Sequence, residues 1–188
     1  MKGIIFTTES VQAIQALRKT MTRRVIVPQP TNPRWNNIGW LGWDDGHGYK
    51  IPRMHKVGDI LYVKEGYIKI DGSYCYRADE QPETVLITME SYKYKWRSPM
   101  YMPQAAARYF LQVAMVRVER LQDITEADAK AEGIEPKEPN HVVSAKYRFG
   151  QLWNSLNKKR GHPWADNPWI TAVTFRQISR AEAEREVK

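Results

Sequence analysis

The sequence predicts one α+β domain, a mainly antiparallel, barrel-like set of strands with flanking helices, and three observations carry that expectation. Apolar and β-branched residues alternate at period two in several segments, among them "SYCYRA" and "NPWITAVTFRQI". Helical spacings of three and four occur in only a few others. The two kinds of segment do not alternate regularly, as the βαβ units of a doubly wound parallel sheet require.

"GIIFTT" has the content of a short buried strand, and Thr8 to Ser10 offer capping hydroxyls and a carboxylate for a helix that buries Val11, Ile14 and Leu17 and runs to about Arg18. Thr20 and Thr22 end it, and "TRRVIV" resumes strand character before Pro28 and Pro30 force a loop. From Pro28 to Arg53 neither period is sustained, which reads as an ordered loop insertion over about 28–56. Its Trp35, Trp40, Trp43 and Tyr49 argue against disorder and are expected to cover part of the core.

"VGDILYVKEGY" reads as a turn at Gly58 and Asp59, then a buried strand with Glu65 near its end. A second insertion is expected over about 66–100, where "SYCYRA" alternates like a strand. On a strand, "SYKYKWR" would turn Tyr92, Tyr94 and Trp96 to one face and Lys93, Lys95 and Arg97 to the other, with the aromatics packed inward as the favoured arrangement. "RYFLQVAMVRVERL" is a long strand pattern. "DITEADAKAEGI" is a helix signature with Thr125 as N-cap and Gly133 as stop. "SAKYRFGQLWNSLNKKR" describes an amphipathic helix whose Lys158, Lys159 and Arg160 suit its C-terminal dipole. The charged tail over 179–188 reads as a terminal helix or a frayed end.

A formal net charge of +8 excludes an acidic DNA mimic and points to a polyanionic partner, although excess charge also serves solubility. The single Cys75 makes no internal disulfide, and the first residues lack a signal-peptide pattern, so a cytoplasmic protein is expected. No apolar run approaches the roughly 20 residues of a membrane span. His47, His55, His141 and His162 are scattered, and a turn accounts for Asp44, Asp45 and His47, so neither a metal nor a cofactor is expected. There is no G-x-S-x-G elbow and no phosphate-binding P-loop.

The stretch "RKTMTRR" stands apart, because Arg18, Lys19, Arg23 and Arg24 crowd around Thr20 and Thr22. Cations at a helix end stabilise its dipole by about 0.3–1 kcal/mol each, which accounts for two of the four. Neighbouring strand residues face opposite ways, so at least one of Arg23 and Arg24 is expected to point away from open solvent. Glu65 and Glu132, at a strand end and a helix end, are candidate acids.

The segments "GIIFTTESVQAIQALRKTMTRRVI", "VGDILYVKEGY", "YRAD", "KWRSPMYMPQAAARYFLQV", "VERLQDITEADAKAEGI", "FGQLWNSLN" and "WADNPWITAVTF", in this order, resemble the ASCH domain of the PUA-like superfamily in its longer bacteriophage and prophage form. The resemblance covers nearly the whole of 1–188 and implies a small β-barrel with flanking helices. It also implies a cleft suited to nucleic acid, RNA rather than DNA, or to a modified nucleoside. Some compact bacterial relatives are amidohydrolases that deacetylate N4-acetylcytidine with a Lys, a Thr three positions later and a downstream Glu. In this chain the pattern falls on Lys19, Thr22 and Glu132.

That implies Thr22 as nucleophile, Lys19 as base and Glu132 as the orienting or proton-shuttling carboxylate, with Arg18, Arg23, Arg24 and Glu65 as nucleic-acid or ligand contacts. Lys19 and Thr22 converge only if Lys19 lies in the helix end or a turn. Three functions follow: a binding protein first, an amidohydrolase second, and third a phage accessory protein acting on a host protein.

Overall fold

The computed structural model describes residues 1–31, 33–36, 39–44, 49–50, 55–135 and 143–187. Its elements are β1 (Lys2–Ile5), α1 (Thr8–Gln15), β2 (Met21–Val25), β3 (Pro33–Asn36), β4 (Gly39–Asp44), β5 (Tyr49–Lys50), β6 (Ile60–Lys64), β7 (Tyr67–Ile70) and β8 (Ser73–Tyr76). They continue with α2 (Glu83–Ser91), β9 (Phe110–Arg120), α3 (Glu126–Ala131), α4 (Ala145–Asn157), β10 (Trp169–Ile178) and α5 (Arg180–Glu186).

The fold is α+β with a mixed five-stranded sheet in the order β1-β6-β9-β10-β2. β1 runs parallel to β6, whereas β6 with β9 and β10 with β2 are antiparallel. The sheet is open, with β1 and β2 at its edges, and among the described residues no pairing closes it into the expected barrel. Alternation in sequence fixes which face of a strand is buried; it leaves open which strands pair, and the β1–β6 pairing is long-range.

The chain falls into two compact units where the sequence reads as one domain: Met1–Arg18, Gly58–Val113 and Phe175–Lys188 form the first, and Lys19–Val57 with Ala114–Thr174 the second. In the first, Thr7 caps α1 by accepting from Ser10 N, and Val11, Ala13 and Ile14 are buried. The helix ends at Gln15, earlier than expected, because Leu17 takes a left-handed φ of 56° and Arg18 N closes back onto Ala13 O. A core cluster gathers Ile60, Tyr67, Met102, Phe110, Ile178 and Ala183, so the charged tail is a helix anchored by one alanine.

In the second unit, Phe149 and Trp153 of α4 pack on Met21, Leu121, Ile124, Ala129, Ile170 and Ala172. Thr125 caps α3 as expected, and Gly133 ends it at φ 89°. The region expected to be an irregular loop instead holds the three-stranded sheet β3-β4-β5. A bulge between Arg34 and Trp35 and a positive φ of 117° at Gly42 interrupt the alternation that would reveal it. The side chains of Trp35, Trp40, Trp43 and Tyr49 lie outside the described residues, as do Asp45, His47 and His141. No described helix is long and apolar enough to cross a membrane.

Both cores rest on fully buried side chains. Leu61→Ala and Phe149→Ala are each expected to lower unfolding free energy by about 2–5 kcal/mol, measured by guanidinium denaturation.

Candidate functional site

Chain direction brings the conspicuous basic stretch against α3. Lys19 forms an isolated antiparallel bridge with Glu132, and Thr20 N donates to Ala131 O at 2.8 Å. The extended backbone then sends Lys19, Met21 and Arg23 to one face and Thr20, Thr22 and Arg24 to the other. On the first face Arg23 Nη1 donates to Met21 Sδ at 3.1 Å, and Lys19 and Arg23 both reach Glu132.

Lys19 Nζ donates to Glu132 Oε2 at 2.7 Å and to the Glu132 carbonyl at 2.9 Å, so one ammonium pairs with the carboxylate and also satisfies a carbonyl at the C-terminal end of α3. Arg23 Nη1 lies 3.3 Å from Glu132 Oε1, and Nη2 meets Glu119 Oε1 at 2.9 Å and Asp128 Oδ2 at 2.8 Å. Arg117 completes the network from the surface, with Nε 3.2 Å from Glu119 Oε2 and Nη2 2.9 Å from Asp128 Oδ2. Lys19, Arg23 and Glu132 are only 5%, 5% and 6% exposed. The Arg23 guanidinium sits 5.9 Å from the Phe149 ring centroid, and its Nε has no acceptor among the described residues.

Three cations therefore meet three carboxylates, and two of the four cations crowded in the sequence, Lys19 and Arg23, are balanced in space. Glu119, Asp128 and Arg117 belong to this network and escaped the sequence reading. The signal that could have found Asp128 was its place four residues before Glu132 on one helix face.

Arg23, expected to contact an anion, is committed instead to carboxylates of its own unit, because the inward strand face leaves it no exposed side-chain surface. Arg24 points the other way and is exposed. Desolvation by the surrounding protein lowers its proton affinity, Glu132 opposes that, and Arg160 lowers it further. Arg160 follows α4 and is exposed, as are Lys158 and Lys159. Sequence reading assigned those three to the helix dipole alone.

Thr22 is buried opposite Val173 on the outer strand face. Among the described residues no hydrogen bond joins its hydroxyl to Lys19 or Glu132. Lys19 lies in an extended bridge rather than at the helix end, so the condition for its convergence with Thr22 is not met. Arg18 belongs to the first unit, with its side chain exposed.

Glu65, also in the first unit, is 1% exposed and accepts two hydrogen bonds from Arg108, from Nε at 2.9 Å and Nη2 at 3.0 Å. Arg108 Nη1 donates to Asp79 at 2.7 Å, and the guanidinium lies 4.0 Å from the Tyr76 ring and 5.0 Å from that of Tyr109. Burial pushes the Glu65 carboxyl above its ordinary range, with Arg108 pulling it back. No described group of three or more His, Cys, Asp or Glu residues is arranged to hold a metal. The chain matches no family model, curated protein or solved structure in comparisons with each.

Replacing Arg23 by Met leaves Glu119, Asp128 and Glu132 facing one another, and an expected loss of about 3–5 kcal/mol is measurable by urea denaturation.

Because the folded chain holds the Glu65 proton more tightly than the unfolded chain, this group's contribution is fullest below the ordinary value of 4.5 and is lost as pH rises through the raised value. Wild-type stability relative to Glu65→Gln should fall as pH increases from about 4. Parallel profiles would show that Glu65 does not titrate in that window.

Proposed function

We propose that the chain binds RNA or a modified nucleoside through the outward basic face of β2 and the end of α4, the binding role that its resemblance to the ASCH domain implies. The observation that carries this reading is the division of charge along β2. Lys19 and Arg23 are buried against carboxylates inside the unit, while Arg24 is exposed on the strand's other face and Arg160 is exposed at the end of α4. The formal net charge of +8 favours a polyanionic partner, and phosphate neutralisation needs exposed cations of this kind. In this reading the Lys19–Glu132–Arg23 network is the scaffold that fixes β2 against α3 and so fixes the direction of Arg24.

The direct contact of Lys19 with Glu132 supports a second reading, deacylation of N4-acetylcytidine or a related acylated nucleoside. A base role for Lys19 requires Glu132 to accept its proton across the 2.7 Å contact. The opposed faces of Lys19 and Thr22 weigh against Thr22 as the nucleophile that the base would activate.

Two assays separate the readings. Arg24→Ala should weaken RNA binding and reduce the slope of log affinity against log salt by about 0.7–0.9. Wild-type protein incubated with N4-acetylcytidine should release no cytidine by mass spectrometry. Cytidine release abolished in Lys19→Ala would establish the enzyme instead.

A further inference from the structure

The segment after β8 leaves Tyr92 and Tyr94 in solvent, with Trp96 half-buried. α2 buries none of its residues, and Lys93 takes a left-handed φ of 53° that ends the helix and turns the chain. Lys93 N and Tyr94 N fold back onto Glu90 O and Met89 O, at 3.2 and 2.9 Å. The expected strand, with its aromatics packed inward, is therefore replaced by a turn that displays the two tyrosines, Tyr92 and Tyr94. Tyr92 is 74% exposed and Tyr94 39%, their ring centroids are 6.2 Å apart, and Lys93, Lys95 and Arg97 are exposed beside them.

The backbone that follows is held firmly. Arg97 N donates to Tyr67 O at 2.8 Å and Tyr67 N to Arg97 O at 3.4 Å. The Tyr67 hydroxyl donates to Tyr101 O at 3.0 Å, and Tyr67 itself is only 4% exposed. Two neighbouring aromatic rings and three cations are thus displayed next to a chain anchored in the core.

We propose that Tyr92 and Tyr94 form a stacking platform for single-stranded nucleic acid, with Lys93, Lys95 and Arg97 contacting its phosphates. It shares with the function proposed above only the premise of a polyanionic partner, and it stands on a different set of residues in the other unit. Each base offers a π-face to a tyrosine, and sequence-tolerant binding of unpaired strands uses this combination of aromatics and cations. A membrane surface fits less well: interfacial helices carry Lys or Arg on their polar face, whereas α2 has no cation and has Glu83 and Glu90. Charge complementarity therefore selects the nucleic-acid strand, because the cations lie at the turn, among the rings.

The test is fluorescence anisotropy with a labelled single-stranded RNA of roughly 12 nucleotides, within the range of strand-binding sites, and with the corresponding duplex. Tyr92→Ala and Tyr94→Ala should each weaken single-strand binding roughly 5- to 150-fold, and Tyr→Phe at the same positions should retain it. Lys93→Gln with Lys95→Gln should flatten the salt slope by about 1.4. All these side chains are exposed, so unfolding midpoints should be unchanged.

The tyrosine substitutions should weaken single-strand binding by the same factor in the wild-type and the Arg24→Ala backgrounds, so the platform and the Arg24 face can fail separately. Unchanged RNA affinity in both Tyr→Ala variants would overturn the proposal. So would a preference for duplex, or binding to phosphatidylserine vesicles that the tyrosine variants abolish while RNA binding persists.

Discussion

The second unit depends on one constraint, the burial of a guanidinium at Arg23 with no solvent to share its charge. A cation taken out of water costs several kcal/mol unless partners are fixed around it. The chain supplies Glu119 from β9, Asp128 from α3 and Glu132 from the end of α3, so two elements are drawn to one side chain of β2. Lys19 supplies the further positive charge that Glu132 needs, and Arg117 answers Glu119 and Asp128 at the surface. The apolar contacts of Met21, Phe149 and Trp153 give this unit its core. The charged network adds direction, because it admits only the register of β2 in which Arg23 turns inward and Arg24 outward.

The same logic orders the first unit around Glu65. A carboxylate 1% exposed is tolerated because Arg108 grips it through two nitrogens, and Arg108 is in turn held by Asp79 and stacked against Tyr76 and Tyr109. Every strong charge in this arrangement already has its partner within the unit. A ligand could compete for Glu65 only by displacing a bidentate pair, which is why Glu65 reads as architecture here. The side chains left to meet a partner are those the folded chain leaves outside such pairs.

Much of the fold was legible in the sequence. The caps at Thr125 and Gly133, the strand from Ile60 and the long strand through Phe110 follow from local chemistry that the fold does not override. What escaped was non-local or locally masked. The parallel pairing of β1 with β6 joins residues far apart in the chain, and alternation carries no record of it. Gly42 and the bulge at Arg34 disguise three strands as a loop. Of the candidate site, the residues Lys19, Arg23 and Glu132 could be named from their crowding and from the family resemblance. Their charge balance could not, because Glu119 and Asp128 look like ordinary solvated acids until β9 and α3 are placed beside Arg23.

That balance bears on the choice between binding and turnover. A site that performs acyl transfer needs its nucleophile, base and oxyanion donor aimed at one reacting atom. Here the strand period separates them: the inward face holds Lys19 with its carboxylate, and the outward face holds Thr22 and Arg24. A binding surface makes no such demand, since phosphates need only exposed cations at suitable spacing and a rigid strand to present them. The buried pairs of Lys19 and Arg23 and the exposed position of Arg24 are two results of one alternation. The chain can fill the inner face with cations only because the carboxylates of α3 and β9 neutralise them there.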